Sequence, residues 1–448
     1  MEEKGIVEKD DISLRRILLF SWPIMLANML QITFNFADTL VVGNYVSKQG
    51  LAAVGTTAPI LIFFTWGLYG LSLGSNVLVS RMIGARQYDR ISRTVFSSMC
   101  VGILWGSCIA VLGFFFAGNI LKILSVPSDI LSDATLYMRI YFLACPALGI
   151  YDFGSSIMRA SGNTKDPTRF LAISGVMNVV LNLVFVAFLS FGVFGAALAT
   201  VITQYLSAFL ILRKLLKDDS SIRLLIDWDL FDLEIIGKIL RYGIPSALQN
   251  QLFSFSNMMI QSSVNSFGST FVAANTAANA IEEYVYVFVD AFPLASLTFS
   301  SKLFGARRYK DIFKETLQIF LVCGTGALLI GLFILMNGER FLSLLSTDPQ
   351  VISFGLYRLR YVTLFLFLNG LLDVVVNSIR GMGIVTLPTV VTLFGVCGFR
   401  LLYLYTYFAG HRSPETLYLC FPLSWSLTLL CQLPIWFYRY RQLINGQE

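Results

Sequence analysis

The chain has 448 residues, 56% of them hydrophobic and 13% charged, with a mean hydropathy of +0.70. Soluble domains carry about 45–50% apolar and about 25% charged residues, so the composition excludes an ordinary water-soluble domain and implies a membrane protein. The formal net charge of +6 reads as a topology signal and not as a nucleic-acid surface, because the basic residues collect on one side of the apolar segments.

In chain order, the N-terminus is polar up to Arg16 and then runs directly into an apolar stretch. No Ala-x-Ala cleavage signal follows a short apolar core, so the first span is expected to stay in the mature protein. Twelve apolar segments are predicted, at 17–43, 51–79, 94–117, 135–157, 170–190, 194–216, 238–264, 271–299, 315–336, 357–378, 387–408 and 417–438. Each meets the need for roughly 20 residues to cross a bilayer, and several exceed it. Lys4, Lys9, Arg15 and Arg16 precede the first span. Arg81 to Arg93 follow the second, Arg159 to Arg169 the fourth, Arg213 to Lys217 the sixth, and Lys302 to Lys314 the eighth. This bias puts both termini on the cytoplasmic side of a cytoplasmic membrane.

Two motifs recur at one offset. Gly84-Ala85-Arg86-x-Tyr88 returns 221 residues later as Gly305-Ala306-Arg307-x-Tyr309, and Arg159-x-x-Gly162-x-x-x-x-Pro167 returns as Arg380-x-x-Gly383-x-x-x-x-Pro388. The chain is a tandem duplication, with an even number of spans per half and therefore a parallel repeat. The expected fold is all-α and integral to the membrane: twelve transmembrane helices in two pseudo-symmetric six-helix bundles. The expected lobes are 1–217 and 238–448, joined by a polar cytoplasmic linker at 218–237. Such duplicated bundles are the usual architecture of secondary transporters.

Few polar residues interrupt the spans. In the first, Asn28, Gln31, Asn35 and Asp38 share one helix face. A carboxylate in the hydrocarbon region is costly and marks a functional candidate, either a proton switch or a ligand for Na⁺ among hard oxygen donors. The seventh span repeats the stripe as Asn250, Ser254, Asn257 and Gln261, with no acid where the first copy has Asp38. In the fifth span Asn178 and Asn182 are one turn apart and Ser174 extends the row. In the sixth, Thr200 follows Gly195-Ala196-Ala197-Leu198-Ala199, where small residues permit close helix contact. The eighth span carries Asn275, Asn279, Glu282 and Tyr286 on one face, with Asp290 beyond, and Arg400 lies in the eleventh. Neither Glu282 nor Arg400 has a charged counterpart in the first half, so they are candidates for a buried pair or for the lining of a substrate cavity. Asp152 and Asp373, each seven residues before a repeated arginine, read as internal pairing, as do Arg139 and Arg360. Aromatic residues make up 14% of the chain. Some are expected to face organic cations, which rings attract.

Direct nucleotide chemistry and a zinc or haem site are not expected, and Na⁺ at Asp38 is the one metal ion considered. No Gly-x-x-x-x-Gly-Lys-Ser/Thr loop is present, the seven cysteines form no Cys-x-x-Cys pair, and His411 is the one histidine. No enzyme constellation is visible and no cofactor is expected.

At these residues the chain resembles the multidrug and toxic compound extrusion (MATE) family, over about 14–440. The resemblance rests on Trp22-Pro23, Asn35-x-x-Asp38 with Val41-Val42-Gly43, Ser80-Arg81-x-x-Gly84-Ala85, Arg159-Ala160-x-Gly162-Asn163 and the second-half copies. It implies two six-helix lobes around a cleft and cation-coupled export of drug-like organic cations. It also implies an ion site of Asp38, Asn178 and Thr200, with Asn182 standing where relatives have a second acid. A site built on seventh- and tenth-span acids is not implied, since Phe253 and Asn369 stand there. Together these observations predict an H⁺ or Na⁺ antiporter, working as a monomer in membrane lipid. Asp38, Asn35, Asn178, Asn182 and Thr200 are expected near the ion. Gln31, Asn257, Gln261, Glu282, Tyr286 and Arg400 are expected to line the substrate cavity. The alternative is a flippase for lipid or lipid-linked oligosaccharide.

Overall fold

The computed structural model describes residues 13–124 and 126–446. Lys4 and Lys9, part of the basic N-terminal segment, lie outside the described residues. Helices α1 (Leu14–Tyr45), α2 (Lys48–Gly84) and α3 (Tyr88–Ile123) are followed by the short α4 (Ser128–Phe142) and α5 (Cys145–Ala160). Next come α6 (Lys165–Asn182), continued by a π turn at Leu183–Phe188, and α7 (Gly192–Leu216). The second half runs through α8 (Leu233–Asn265), α9 (Ser269–Val289), α10 (Ala291–Gly305) and α11 (Tyr309–Met336). It continues with α12 (Gly338–Ser343), α13 (Pro349–Arg358), α14 (Leu366–Gly381), α15 (Thr386–Thr392), α16 (Phe399–Tyr403) and α17 (Pro414–Ile444).

Among the described residues, ten helical segments are long and apolar enough to cross a membrane, and α4 with α5, bent by 43°, makes an eleventh. The remaining expected span falls on α8, a 33-residue helix whose polar stripe and early charges (Glu234, Lys238, Arg241) dilute its hydropathy. The protein is thus a multi-pass membrane protein with two lobes of six spans. The 32 residues of α1 extend about 48 Å, well beyond the ~30 Å hydrocarbon core. On α3, Leu104 and Phe115 are 65% and 69% exposed. Such faces suit lipid and would be a liability in water.

The duplication reaches down to single dihedrals. Arg86 and Arg307 both take φ = 56°, and Gly162 and Gly383 take φ = 98° and 102°. The repeated Gly-Ala-Arg motif therefore builds the same turn twice, with a left-handed arginine closing α2 and α10. The repeated glycines sit where a side chain would be strained.

Among the described residues the chain packs as two compact units, one of 26–247 and one of 13–25 with 248–446. The linker 218–237 belongs wholly to the first unit, so the divide is displaced from the expected 218–237. It falls instead within α1 and α8, two residues after Pro23 and two after Pro245, where proline interrupts the helical hydrogen-bond ladder. The reason lies in the packing. Ile235 and Ile239 of α8 join a core with Leu71 and Leu78 of α2, Val95 of α3 and Phe153 of α5. A Cβ on Gly74 would lie 2.2 Å from the Ile239 carbonyl oxygen, so α2 and α8 touch backbone to backbone. In the other unit, Phe20 of α1 stands 5.1 Å from Phe299 of α10, ring centre to ring centre.

Within the first unit, α3 and α5 approach equally closely. A Cβ on Gly149 would lie 2.1 Å from the Gly102 carbonyl oxygen. Small residues drive such contacts where lipid removes the hydrophobic incentive to associate. Buried hydroxyls then bridge helices: Ser72 meets Ser156 at 2.9 Å, and Asn76 donates to the Ser156 carbonyl at 3.1 Å.

Candidate ion and substrate sites

Asp38 lies in α1, partly buried, and faces α6. The Asn182 amide donates to its Oδ1 at 2.6 Å. The Asn178 amide satisfies both of its ends when its nitrogen meets the two Asp38 oxygens at 2.8 and 2.9 Å and its oxygen takes the Thr203 hydroxyl at 3.2 Å. Asn178 and Asn182 are 8% and 1% exposed. Their one-turn spacing on α6 is what lets two amides grip one carboxylate. Hydrogen bonds to a charged group are worth about 1.5–3 kcal/mol each, which offsets part of the cost of holding the ion in an apolar bundle.

Two buried oxygens beside this cluster, Asn182 Oδ1 and Ser174 Oγ, have no hydrogen-bond partner among the described residues. Both lie on α6, on the residue that donates to Asp38 and two turns before it. The local scaffold is specific. Gly175 lets the Phe34 ring of α1 lie against α6: a Cβ there would be 1.9 Å from Phe34 Cε2. Beyond Asp38, Val41 and Val42 pack with Val186 of the π turn and Ala196 of α7. A π turn directly after Asn182 matches the tendency of such irregularities to sit at functional sites.

The structure does not gather every expected ion ligand. Thr200 bonds back to the Ala196 carbonyl of its own helix at 3.2 Å, and Thr203, one turn on, is the hydroxyl that meets Asn178. Asn35 and Gln31 are exposed on α1.

In the second unit, Glu282 of α9 is 2% exposed and its carboxylate is held at both oxygens by Arg358, at 2.9 Å from Nε and 3.1 Å from Nη2. Arg358 also donates to Asn275 Oδ1 at 2.8 Å and Asn279 Oδ1 at 2.9 Å. Tyr418 adds a bond to Asn275 at 2.9 Å, and the Asn275 amide reaches Gln261 at 3.3 Å. The expected pairing of Glu282 with Arg400 is therefore not the one formed. Arg400 bonds Ser424 Oγ at 3.0 Å and Asn257 Oδ1 at 3.3 Å, and it lies over Phe421 at 4.4 Å. Tyr286 lies within electrostatic reach of both Glu282 and Arg400. Asn257 and Gln261 are exposed on α8. Arg358 is a site residue that the sequence reading leaves out. Its repeat counterpart is Tyr137, the same asymmetry that singled out Glu282, and that comparison was the available signal.

The second of the repeated arginines braces its lobe. Arg380 donates to Gln249 at 2.6 Å and Thr389 at 3.0 Å, while Asp373 takes the Asn369 amide at 3.1 Å. Glu315 sits apart, fully buried, accepting from Ser300 at 2.9 Å and Thr316 at 3.3 Å, with Ser378 joining both hydroxyls to Trp436.

A family model described as MatE matches residues 23–184 and again 245–406. The chain belongs to the MatE family. Both matched stretches are equally long, so the duplication read from two motifs extends through each lobe of this MatE protein. A probable multidrug resistance protein, YoeA of Bacillus subtilis (strain 168), is 27% identical over 401 residues, covering 86% of this chain and 84% of its own. The multidrug export protein MepA of Staphylococcus aureus (strain bovine RF122 / ET3-1) is 22% identical over 367 residues, covering 80% and 79%. Among solved structures, an outward-facing multidrug resistance MATE family transporter of the MOP superfamily aligns with a TM-score of 0.90 at 20% identity over 98% of both chains. A MOP superfamily transporter from Pyrococcus furiosus, described as having a binding pocket of reverse polarity, aligns at 0.89 and 21% identity over 97% of both. The fold is that of MATE transporters, a class of non-enzymes.

Proposed function

We propose that this MatE protein is a secondary exporter of drug-like organic compounds, coupled to the inward movement of H⁺ or Na⁺. It works by alternating access in the cytoplasmic membrane, as a monomer, with both termini inside. The observation that carries the reading is Asp38: one bundle holds a partly buried carboxylate between two amides, and alignment of Pro23 with Pro245 puts the buried Ile260 at the matching position of the other. A structural stripe has no use for such a difference, whereas a coupling site does. Cation binding at Asp38 neutralises its charge and weakens the pull of Asn178 and Asn182, which biases α1 against α6. A ligand shifts a conformational equilibrium only through such differential binding. The basic residues between spans support the orientation. The multidrug names of YoeA and MepA favour drug-like substrates over a lipid or oligosaccharide cargo.

The test is accumulation of fluorescent organic compounds in a bacterium stripped of its own efflux pumps. Expression of this chain lowers steady-state accumulation, and collapse of the H⁺ or Na⁺ gradient restores it, naming the ion. Equal accumulation with and without the protein contradicts the proposal.

A further inference from the structure

The second unit holds two buried guanidiniums around one ring and a single carboxylate between them. Arg358 and Arg400 are 7% and 4% exposed and lie 5.7 and 4.4 Å from the centre of Phe421. Glu282 is fully engaged: both of its oxygens belong to Arg358. Arg400 is left with neutral partners, Ser424 on Nε and Asn257 on Nη1, and its Nη2 has no hydrogen-bond partner among the described residues. Among the carboxylates of the described residues, Glu282 is the one that acts on it electrostatically, beside the neutral Cys420, Tyr286 and Cys397, and that carboxylate is already matched by Arg358. Stacking on Phe421, and on Trp425 at 5.6 Å, recovers only part of the cost of desolvating an ion. One positive charge in this cluster is unbalanced.

Two consequences follow. The ring faces of Phe421 and Trp425, which composition alone would offer to an organic cation, are covered by Arg400 itself. The open Nη2 is a donor in a planar fork, the geometry that recognises a planar carboxylate. Asn257, which touches Arg400, is exposed, as is Gln261 one turn on, so an approach to the cluster runs along this face of α8. We propose that Arg400, assisted by Asn257, is a subsite for the carboxylate of an organic substrate. The inference rests on the export reading and sharpens it: the exported compounds carry an acidic group, alone or beside a cationic one.

The experiment is binding to the purified full-length protein in detergent without anionic lipid, using 2-naphthoate, its neutral isostere 2-naphthamide, and a naphthyl trimethylammonium ion. The naphthoate binds at least about tenfold more tightly than the amide. Arg400→Gln removes that preference and does not weaken binding of the quaternary ion. Should Arg400→Gln fold poorly, Asn257→Asp supplies Arg400 with an internal carboxylate and removes the preference by occupation. Equal affinity for naphthoate and naphthamide, or an undiminished preference in a folded Arg400→Gln or Asn257→Asp variant, overturns the proposal. So does Arg400-dependent binding of a short-chain phosphatidylglycerol without binding of naphthoate, which would assign the guanidinium to a lipid headgroup. Because the readout is binding, a protein that exports compounds but ignores naphthoate refutes the subsite alone. One that binds naphthoate through Arg400 but exports nothing refutes the export reading alone.

Discussion

Asn182 of α6 donates to Asp38 of α1 at 2.6 Å, joining positions 144 residues apart in the chain. That bond ties the first span to the fifth at the level where the first copy carries an acid and the second does not. Asn182 is 1% exposed, so the carboxylate has no easy substitute donor in water.

Replacing Asn182 by Ala is therefore expected to cost about 1.5–3 kcal/mol of interaction with the carboxylate. The variant should lose at least about tenfold in gradient-driven transport. Its thermal unfolding in detergent should shift far less than its transport rate falls, because the amide acts on the ion and not on the core. Initial rates and unfolding temperatures measured on one preparation check both halves.

The two threonines of α7 separate cleanly. Thr203→Val removes the hydroxyl that meets Asn178 and should impair transport several-fold, while Thr200→Val removes only a bond to the Ala196 carbonyl of the same helix. A local side-chain bond of that kind is worth little, about 1 kcal/mol or less. Transport rates of the two variants, compared at equal expression, make the check; the reverse order would assign the site to Thr200.

Gly175→Ala should be among the most damaging small substitutions in the first unit, since its Cβ would sit 1.9 Å from Phe34 Cε2. The expected cost is about 1–3 kcal/mol from overpacking. Phe34→Ala in the same chain should recover part of the lost thermal stability, and a lack of recovery would mean that the two helices do not meet there.

Breaking the Glu282–Arg358 pair is costly from either side. Glu282→Gln or Arg358→Met alone should destabilise by about 3–5 kcal/mol, since each leaves a buried group uncompensated. The double variant should lose less than the sum of the two. A double-mutant cycle of unfolding in detergent measures the coupling directly.

Much of this was legible from residue order alone. The duplication, the helical spans and the polar faces within single helices follow from spacing, because helical periodicity fixes which residues share a face, whereas the joining of Asp38 to Asn178 and Asn182 across two helices was implied by the resemblance to the MATE family. Thr203 was not separable from Thr200: both lie on α7 three residues apart and both bend back to carbonyls of their own helix, and spacing does not say which hydroxyl also meets Asn178. Arg358 was hidden for a different reason. Glu282 and Arg400 were the two conspicuous unmatched charges of the second half, yet the Glu282 partner comes from α13, 76 residues away, and spacing does not pair two helices. The units divide beyond Pro23 and Pro245 because backbone contacts such as Gly74 on Ile239 outweigh the polar linker as a boundary, and such contacts leave no compositional mark.

The central claim is that cation binding at Asp38 drives export, and the most direct measurement is uptake into inside-out vesicles under an imposed H⁺ or Na⁺ gradient. Wild-type protein should accumulate substrate only while the gradient lasts. Asp38→Asn, which keeps the shape but not the charge, should abolish gradient-driven accumulation while substrate binding persists. An Asp38→Asn protein that accumulates substrate as the wild type does, with the same ion dependence, would contradict the account.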